Sequence, residues 1–178
     1  MEEAKRSETV SDLRFFSIGI ILMLLLLVRG TVLDLSIVQD SSMEPTLKPE
    51  EHLIINRLAY ISGKPQPGDL VSVIITEPRA RYGIVTLKRI VAVGGQTVEI
   101  KNGRLYVDGK EFIEPYLIEQ TVGEYGPKTV PPDHYFVLGD NRNYSMDSRS
   151  SEIGFVSSEA IRGKAFFVYW PLKSVRML

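Results

Sequence analysis

The stretch FFSIGIILMLLLLV, Phe15 to Val28, carries no charged side chain, and it limits the possible folds more than any other feature. On its own it is too short to cross a bilayer, whose hydrocarbon core needs about 20 apolar residues of helix. Continued through Arg29, Gly30 and Thr31 to Leu33, the segment reaches roughly 28 Å at about 1.5 Å per residue. Arg29 lies near the end of that span and can extend its charge to the headgroups. Two other readings stay open on these residues. A buried core helix is disfavoured because the leucine run has no polar face, and a cleaved leader because Val28-Arg29-Gly30 makes a poor cut site. An uncleaved anchor over 15–33 fits best. Lys5, Arg6 and Arg14 precede it, while only Lys48 follows closely. The positive-inside rule therefore puts the tail 1–14 in the cytoplasm and residues 34–178 on the outer side of the cell membrane.

Beyond the anchor the pattern is β. Leu53-Ile54-Ile55, Leu70 to Ile75, Ile84 to Val93, Thr97 to Ile100, Leu105 to Val107, Tyr135 to Leu138 and Ala165 to Tyr169 are short β-branched or aromatic runs. Gly, Pro, Asn and Asp punctuate them. Asn102-Gly103 and Asp108-Gly109 are dipeptides of the kind that close two-residue hairpins, so a small meander is expected over 97–112. GKPQPGD at 63–69 and GEYGPKTVPPD at 123–133 read as loops. Apart from the anchor, helix is expected only as a turn at Ser157 to Ile161. With 178 residues, the chain can bury one core. A net charge of −1 gives no reason to expect nucleic acid, and the absence of cysteine excludes disulfides, thiolate metal sites and a cysteine nucleophile. Two histidines are too few for a histidine-rich metal site.

The candidate chemistry begins at QDSSMEPTLKP, Gln39 to Pro49. A serine there becomes a nucleophile only if a neighbouring base removes its proton. In GIVTLKRIVAVGG, strand alternation puts Lys88 on one face with Ile84, Thr86, Ile90 and Ala92, and both faces are mostly apolar. A strand covered on both sides would desolvate Lys88 and lower its pKa towards that of a usable base. The commoner fate of such a lysine is to carry its charge out past its stem, and a serine before Pro45 is commonly only a turn or cap residue. Arg89 is the better placed of the two neighbours to meet solvent or a carboxylate. A third polar stretch, GDNRNYSMDSR at Gly139 to Arg149, offers Ser145, Asp147 and Arg149 at spacings of two, either as a bracing cluster or as a surface turn with a weak ion pair.

Taken together, SMEPTL at Ser42 to Leu47, GDLVSV at Gly68 to Val73, LKRIVAVGGQTVEI at Leu87 to Ile100 and GDNRNYSMDSR resemble the boxes of bacterial type I signal peptidases, in the family's order. The resemblance runs from the anchor to IRGKAFFVYWPL near the C-terminus. It implies a mostly β fold, in which an N-terminal transmembrane helix precedes an antiparallel or mixed β-sheet catalytic domain. It also implies a serine endopeptidase that cuts exported pre-proteins after A-x-A-like signal sequences, without cofactor or metal. Ser42 matches the nucleophile and Lys88 the general base. Ser145 matches the serine that hydrogen-bonds the lysine, and Asp147 and Arg149 match a structural ion pair. Met43, Leu47 and Leu87 match positions lining shallow pockets for small side chains. Implied partners are signal-peptide-bearing pre-proteins and membrane lipids, with room for association with the export machinery.

One position departs from the pattern. Some members place a serine two residues before the nucleophile to help bind the oxyanion, and here that residue is Asp40. Because a carboxylate would repel a developing oxyanion, Asp40 is expected to turn away and leave backbone N–H groups, helped by the Ser41 hydroxyl, to do the work. Related eukaryotic and archaeal enzymes resemble this pattern with histidine in place of the lysine, but His52 and His134 read as structural or exposed. Self-cleaving repressors with a Ser-Lys dyad would carry a DNA-binding domain where this chain has its anchor. A membrane-tethered β module that binds a partner without cutting it is the non-enzymatic alternative.

Overall fold

The computed structural model describes residues 16–21, 23, 31–75 and 83–178, of which 16–21 are helical. The tail 1–14 and residues 15, 22 and 24–30 of the expected anchor over 15–33 lie outside the described residues. Among the described residues, no helix is long and apolar enough to cross a membrane.

The strands, numbered along the chain, form two sheets. The larger has the order β1 (Leu33–Ile37), β2 (His52–Asn56), β11 (Ile161–Trp170), β3 (Leu70–Ile75), β4 (Ile84–Val93), β9 (His134–Leu138) and β10 (Val156–Ser157), with β12 (Arg176–Met177) added to β11. The smaller has the order β7 (Lys110–Glu111), β6 (Arg104–Val107), β5 (Thr97–Lys101) and β8 (Tyr125–Thr129). Every ladder among the described strands is antiparallel.

Local chemistry explains most of these elements. The meander expected at 97–112 forms as β5, β6 and β7. Its turns put Asn102 (φ 51°), Gly103 (φ 74°), Asp108 (φ 52°) and Gly109 (φ 75°) in the left-handed region that primed turns require. A 3-10 turn over Ser158–Ala160 falls where a turn is expected. Four strands escape local reading, one of them β10, a two-residue strand paired with β9. Leu33, counted as the end of the anchor, is already the first residue of β1, and β12 is only two residues long. The expected loop at 123–133 contains β8. Its Gly126 and Pro127 are tolerated because β8 is an edge strand, paired only on one side, to β5.

β4 corrects the simple alternation. A register shift against β9 between Ile90 and Ala92 puts Val91 and Ala92 in one apolar cluster, while Ile90 joins another. The strand is also not covered along its whole length: Ile84 and Val85 are exposed, and full burial begins at Leu87. Three clusters make up the core. Val91, Ala92, Phe136 and Leu138 of the larger sheet meet Val98, Ile100, Leu105 and Val107 of the smaller one. Val71, Val73, Ile90 and Val137 form a second group. Leu53, Ile55, Leu70, Leu87, Ala165 and Val168 form the third, onto which Met43 and Leu47 pack.

Phe136 is fully buried between the sheets, with its ring 4.9 Å from Tyr125 and 6.0 Å from Phe155. Phe136→Ala is expected to lower the unfolding free energy by about 3 to 5 kcal/mol in denaturant titrations. Ile118→Ala, at an exposed site, should change it by less than about 0.5 kcal/mol. Equal losses in the two variants would contradict this placement of the core.

Candidate active site

Ser42 sits in the turn that follows β1. Met43 and Leu47 pin this turn to the core, and its backbone is closed by Leu47 N–H donating to the Met43 carbonyl at 2.9 Å. The 139–149 loop grips it from outside. The Asn141 backbone N–H donates to the Ser42 carbonyl at 2.9 Å, and its side-chain amide donates to the Ser41 carbonyl at 3.0 Å. β4 brings Lys88 to the same place. Its Nζ lies 2.9 Å from Ser42 Oγ and 3.2 Å from Thr86 Oγ1, and the residue is only 2% exposed.

Burial pushes the Lys88 amine below its ordinary pKa of 10.5, against the opposing charges of Asp40, Asp147 and Asp140. An amine in this state, within hydrogen-bond reach of a hydroxyl that is itself buried, can take that hydroxyl's proton. No histidine contacts Ser42 among the described residues. His52 Nδ1 lies 3.2 Å from the Tyr169 hydroxyl, and His134 Nδ1 lies 2.8 Å from the Pro132 carbonyl.

The 139–149 loop owes its shape to buried charge. Asp147 accepts from Arg149 Nε and Nη2, each at 2.8 Å, and from the Gly139 N–H at 3.1 Å. The expected Asp147–Arg149 pair is therefore present, with the aspartate side chain fully buried. Two further pairs brace the site; for one, Arg89 is expected to meet solvent or a carboxylate without a named partner, and the other is not foreseen. Asp140 holds Arg89 through Nε at 2.8 Å and Nη2 at 2.6 Å, with the Arg89 guanidinium 4.0 Å over the Tyr116 ring. Arg142 is buried and pairs with Glu114, while also donating to the Gly139 carbonyl at 3.0 Å. The Arg89 contact follows from a charged residue on a strand near a polar loop. Nothing in the sequence links Glu114 to Arg142.

Three expectations need correction. Among the described residues Ser145 Oγ is buried but makes no hydrogen bond, so it does not hold Lys88 here; the lysine also donates to Thr86. The Ser145 side chain instead abuts Gly139, where an added Cβ would overlap it and come within 2.5 Å of the Ser42 carbonyl oxygen. Only glycine fits between loop and turn at that point. Leu47 is fully buried in the core and does not line the groove beside Ser42, whereas Met43 and Leu87 do. Asp40 does not turn away. Its Oδ1 accepts the Ser42 backbone N–H at 2.8 Å. Burial alone would raise the Asp40 carboxyl pKa, but the Ser42 side-chain and backbone hydrogen bonds and the charge of Lys88 outweigh it and hold the carboxyl below its usual value.

The groove has a volume of about 340 Å³, and Leu35, Ile37, Ile84, Val85, Met43 and Leu87 supply its apolar lining, with Asp40 and Ser42 also in its wall. Its backbone edges are open among the described residues. β1 pairs only with β2, and β4 pairs with β9 only from Arg89 onward. Exposed Leu35, Ile37, Ile84 and Val85 thus flank two unpaired strand edges.

Comparisons with known proteins show the family. Residues 13–170 match the family described as signal peptidase, peptidase S26. Signal peptidase I P of Bacillus subtilis subsp. natto is 37% identical, the match covering 98% of this chain and 96% of that protein. A probable signal peptidase I-2 of Synechocystis is 38% identical over 85% of this chain and 69% of its own length. The crystal structure of a signal peptidase I from Enterococcus faecalis V583 matches with 33% identity and a TM-score of 0.48, covering 57% of this chain and 96% of that one.

Because the folded state lowers the Lys88 pKa, the unfolded chain binds more protons between that lowered value and 10.5, and stability rises with pH across the interval. Lys88→Met lacks this dependence. Denaturant titrations of the two proteins from neutral to alkaline pH should show wild-type stability gaining on the variant as pH rises. A stability difference that stays constant with pH would contradict the desolvation of Lys88.

Proposed function

The chain belongs to the signal peptidase family, peptidase S26, and we propose that it is a membrane-anchored type I signal peptidase that cuts exported pre-proteins with a Ser42–Lys88 dyad. The single observation that carries this reading is the buried Lys88 amine 2.9 Å from the Ser42 hydroxyl. In this reading residues 15–33 anchor the chain with its N-terminus in the cytoplasm, and 34–178 form the catalytic domain on the outer side.

The reaction follows from the contacts. An extended peptide lies in the groove and completes hydrogen bonds with the open edges of β1 and β4, as strand addition does elsewhere. Exposed Ile84 and Val85 flank it, while Met43 and Leu87 leave room for small side chains ahead of the cut, as an A-x-A-like site presents. Neutral Lys88 takes the Ser42 proton as Oγ attacks the scissile carbonyl. The ammonium then returns that proton to the departing amine, leaving an ester on Ser42. In the second half, Lys88 takes a proton from a water molecule attacking the ester and gives it back to Ser42 as the acid product leaves. Asp147 and Arg149 act by holding the loop that grips the Ser42 backbone, without touching the reacting atoms.

Full-length protein in detergent is expected to convert a pre-protein with an A-x-A site to its mature form. Ser42→Ala and Lys88→Met should each lower the rate by at least about a thousandfold while both proteins stay folded. Mass spectrometry of the products checks the cut site. Undiminished cleavage by either variant would overturn the dyad.

A further inference from the structure

When a serine attacks a carbonyl, negative charge develops on the carbonyl oxygen, and the serine's own backbone N–H is the nearest donor able to receive it. In this chain that donor is occupied. The Ser42 N–H donates to Asp40 Oδ1 at 2.8 Å. The occupant already carries the charge that the reacting oxygen will acquire, and it lines the groove where an extended peptide would lie.

The surrounding charges single out Asp40. Around Lys88 of β4 stand three carboxylates: Asp40 from the Ser42 turn, and Asp140 and Asp147 from the 139–149 loop. The guanidinium of Arg89 fixes Asp140, that of Arg149 fixes Asp147, and Arg142 is committed to Glu114. Asp40 is held by Ser42 instead, on an exposed and short side chain. Among the described residues it is therefore the carboxylate that can swing aside without breaking an ion pair to arginine.

We propose, on the basis of the Ser42–Lys88 reading, that Asp40 is a displaceable occupant of the oxyanion position: it caps the Ser42 N–H and counters the charge of Lys88 until a peptide carbonyl replaces it. Substrate entry then does two things in one movement. It frees the donor for the scissile carbonyl, and it removes one of the counter-charges to the ammonium, so that Lys88 gives up its proton where a peptide is bound. An empty site keeps the amine protonated and the serine idle. Asp40 thereby ties formation of the base to occupancy of the groove.

The test uses full-length protein in detergent and a pre-protein with an A-x-A site, with kcat and kcat/KM measured against pH. In the wild type the acid limb of kcat, which reports the occupied enzyme, should lie at lower pH than that of kcat/KM, which reports the free enzyme. Asp40→Asn keeps the shape but loses the charge. It should raise kcat/KM at neutral pH by about fivefold, since a neutral acceptor binds the N–H less strongly, and it should bring the two limbs together. Asp40→Ser should raise kcat/KM by about tenfold or more, because it also frees the donor. Rates at or below wild type in both variants, with unmoved limbs, would overturn the proposal. A second readout needs no turnover. The Ser42 amide resonance should titrate with the Asp40 carboxyl below its ordinary value of 3.8 in the wild type, and this titration should be absent in Asp40→Asn. Wild-type protein that shows the titration but cleaves no pre-protein would sink the peptidase reading and keep the cap. An amide that does not follow the carboxyl sinks the cap.

Discussion

The contact between the Lys88 amine and the Ser42 hydroxyl depends on one energetic condition, that the amine be taken out of water. An exposed lysine would keep its proton throughout the neutral range and offer nothing to a serine. Burial weakens that preference, because the ammonium loses more solvation than the neutral amine. The fold provides the dry site by bringing together two distant elements. β4 carries the lysine through the middle of the larger sheet, and the turn after β1 closes over it. Met43 and Leu47 anchor that turn in the core below, and Asn141 holds its backbone from above.

The same low-dielectric setting explains why so much charge surrounds the site in paired form. Buried carboxylates without partners would pull the amine back to its protonated state and would themselves be costly. Asp140 and Asp147 are each bound by an arginine through two nitrogens, which limits their influence on Lys88 and fixes the loop geometry. The Arg142–Glu114 pair ties that loop to the segment following β7. Gly139 allows the loop to approach the Ser42 turn at a distance no side chain permits. Asp40 stands apart from this scheme, since it is exposed and bonded to the Ser42 backbone N–H.

What could be read in advance was what is local. The meander at 97–112 follows from its turn dipeptides, and the run Ile84 to Val93 matches β4 residue for residue. Lys88 could be singled out because it interrupts an apolar strand. Its partner could not be found that way, since Ser42 is 46 positions away and nothing in either segment encodes their approach. Only the resemblance of several boxes in order joined them. Local reasoning failed where tertiary pairing decides the outcome: β8 is held as a strand by β5 despite Gly126 and Pro127, and the shift in β4 near Ile90 breaks the alternation. The expectation for Asp40 fails for a different reason: it rests on repulsion of an oxyanion, whereas in the resting molecule the Ser42 backbone N–H is an attractive partner for the carboxylate two residues earlier.

The proposed chemistry rests on the protonation of one amine, and a direct titration addresses it. Side-chain NMR of Lys88 in the full-length protein, assigned by comparison with Lys88→Met, reports its midpoint without any assay of cleavage. A midpoint clearly below the ordinary lysine value of 10.5 is expected. A midpoint at or above that value would mean that the amine remains charged beside Ser42, and the proposed base would not exist.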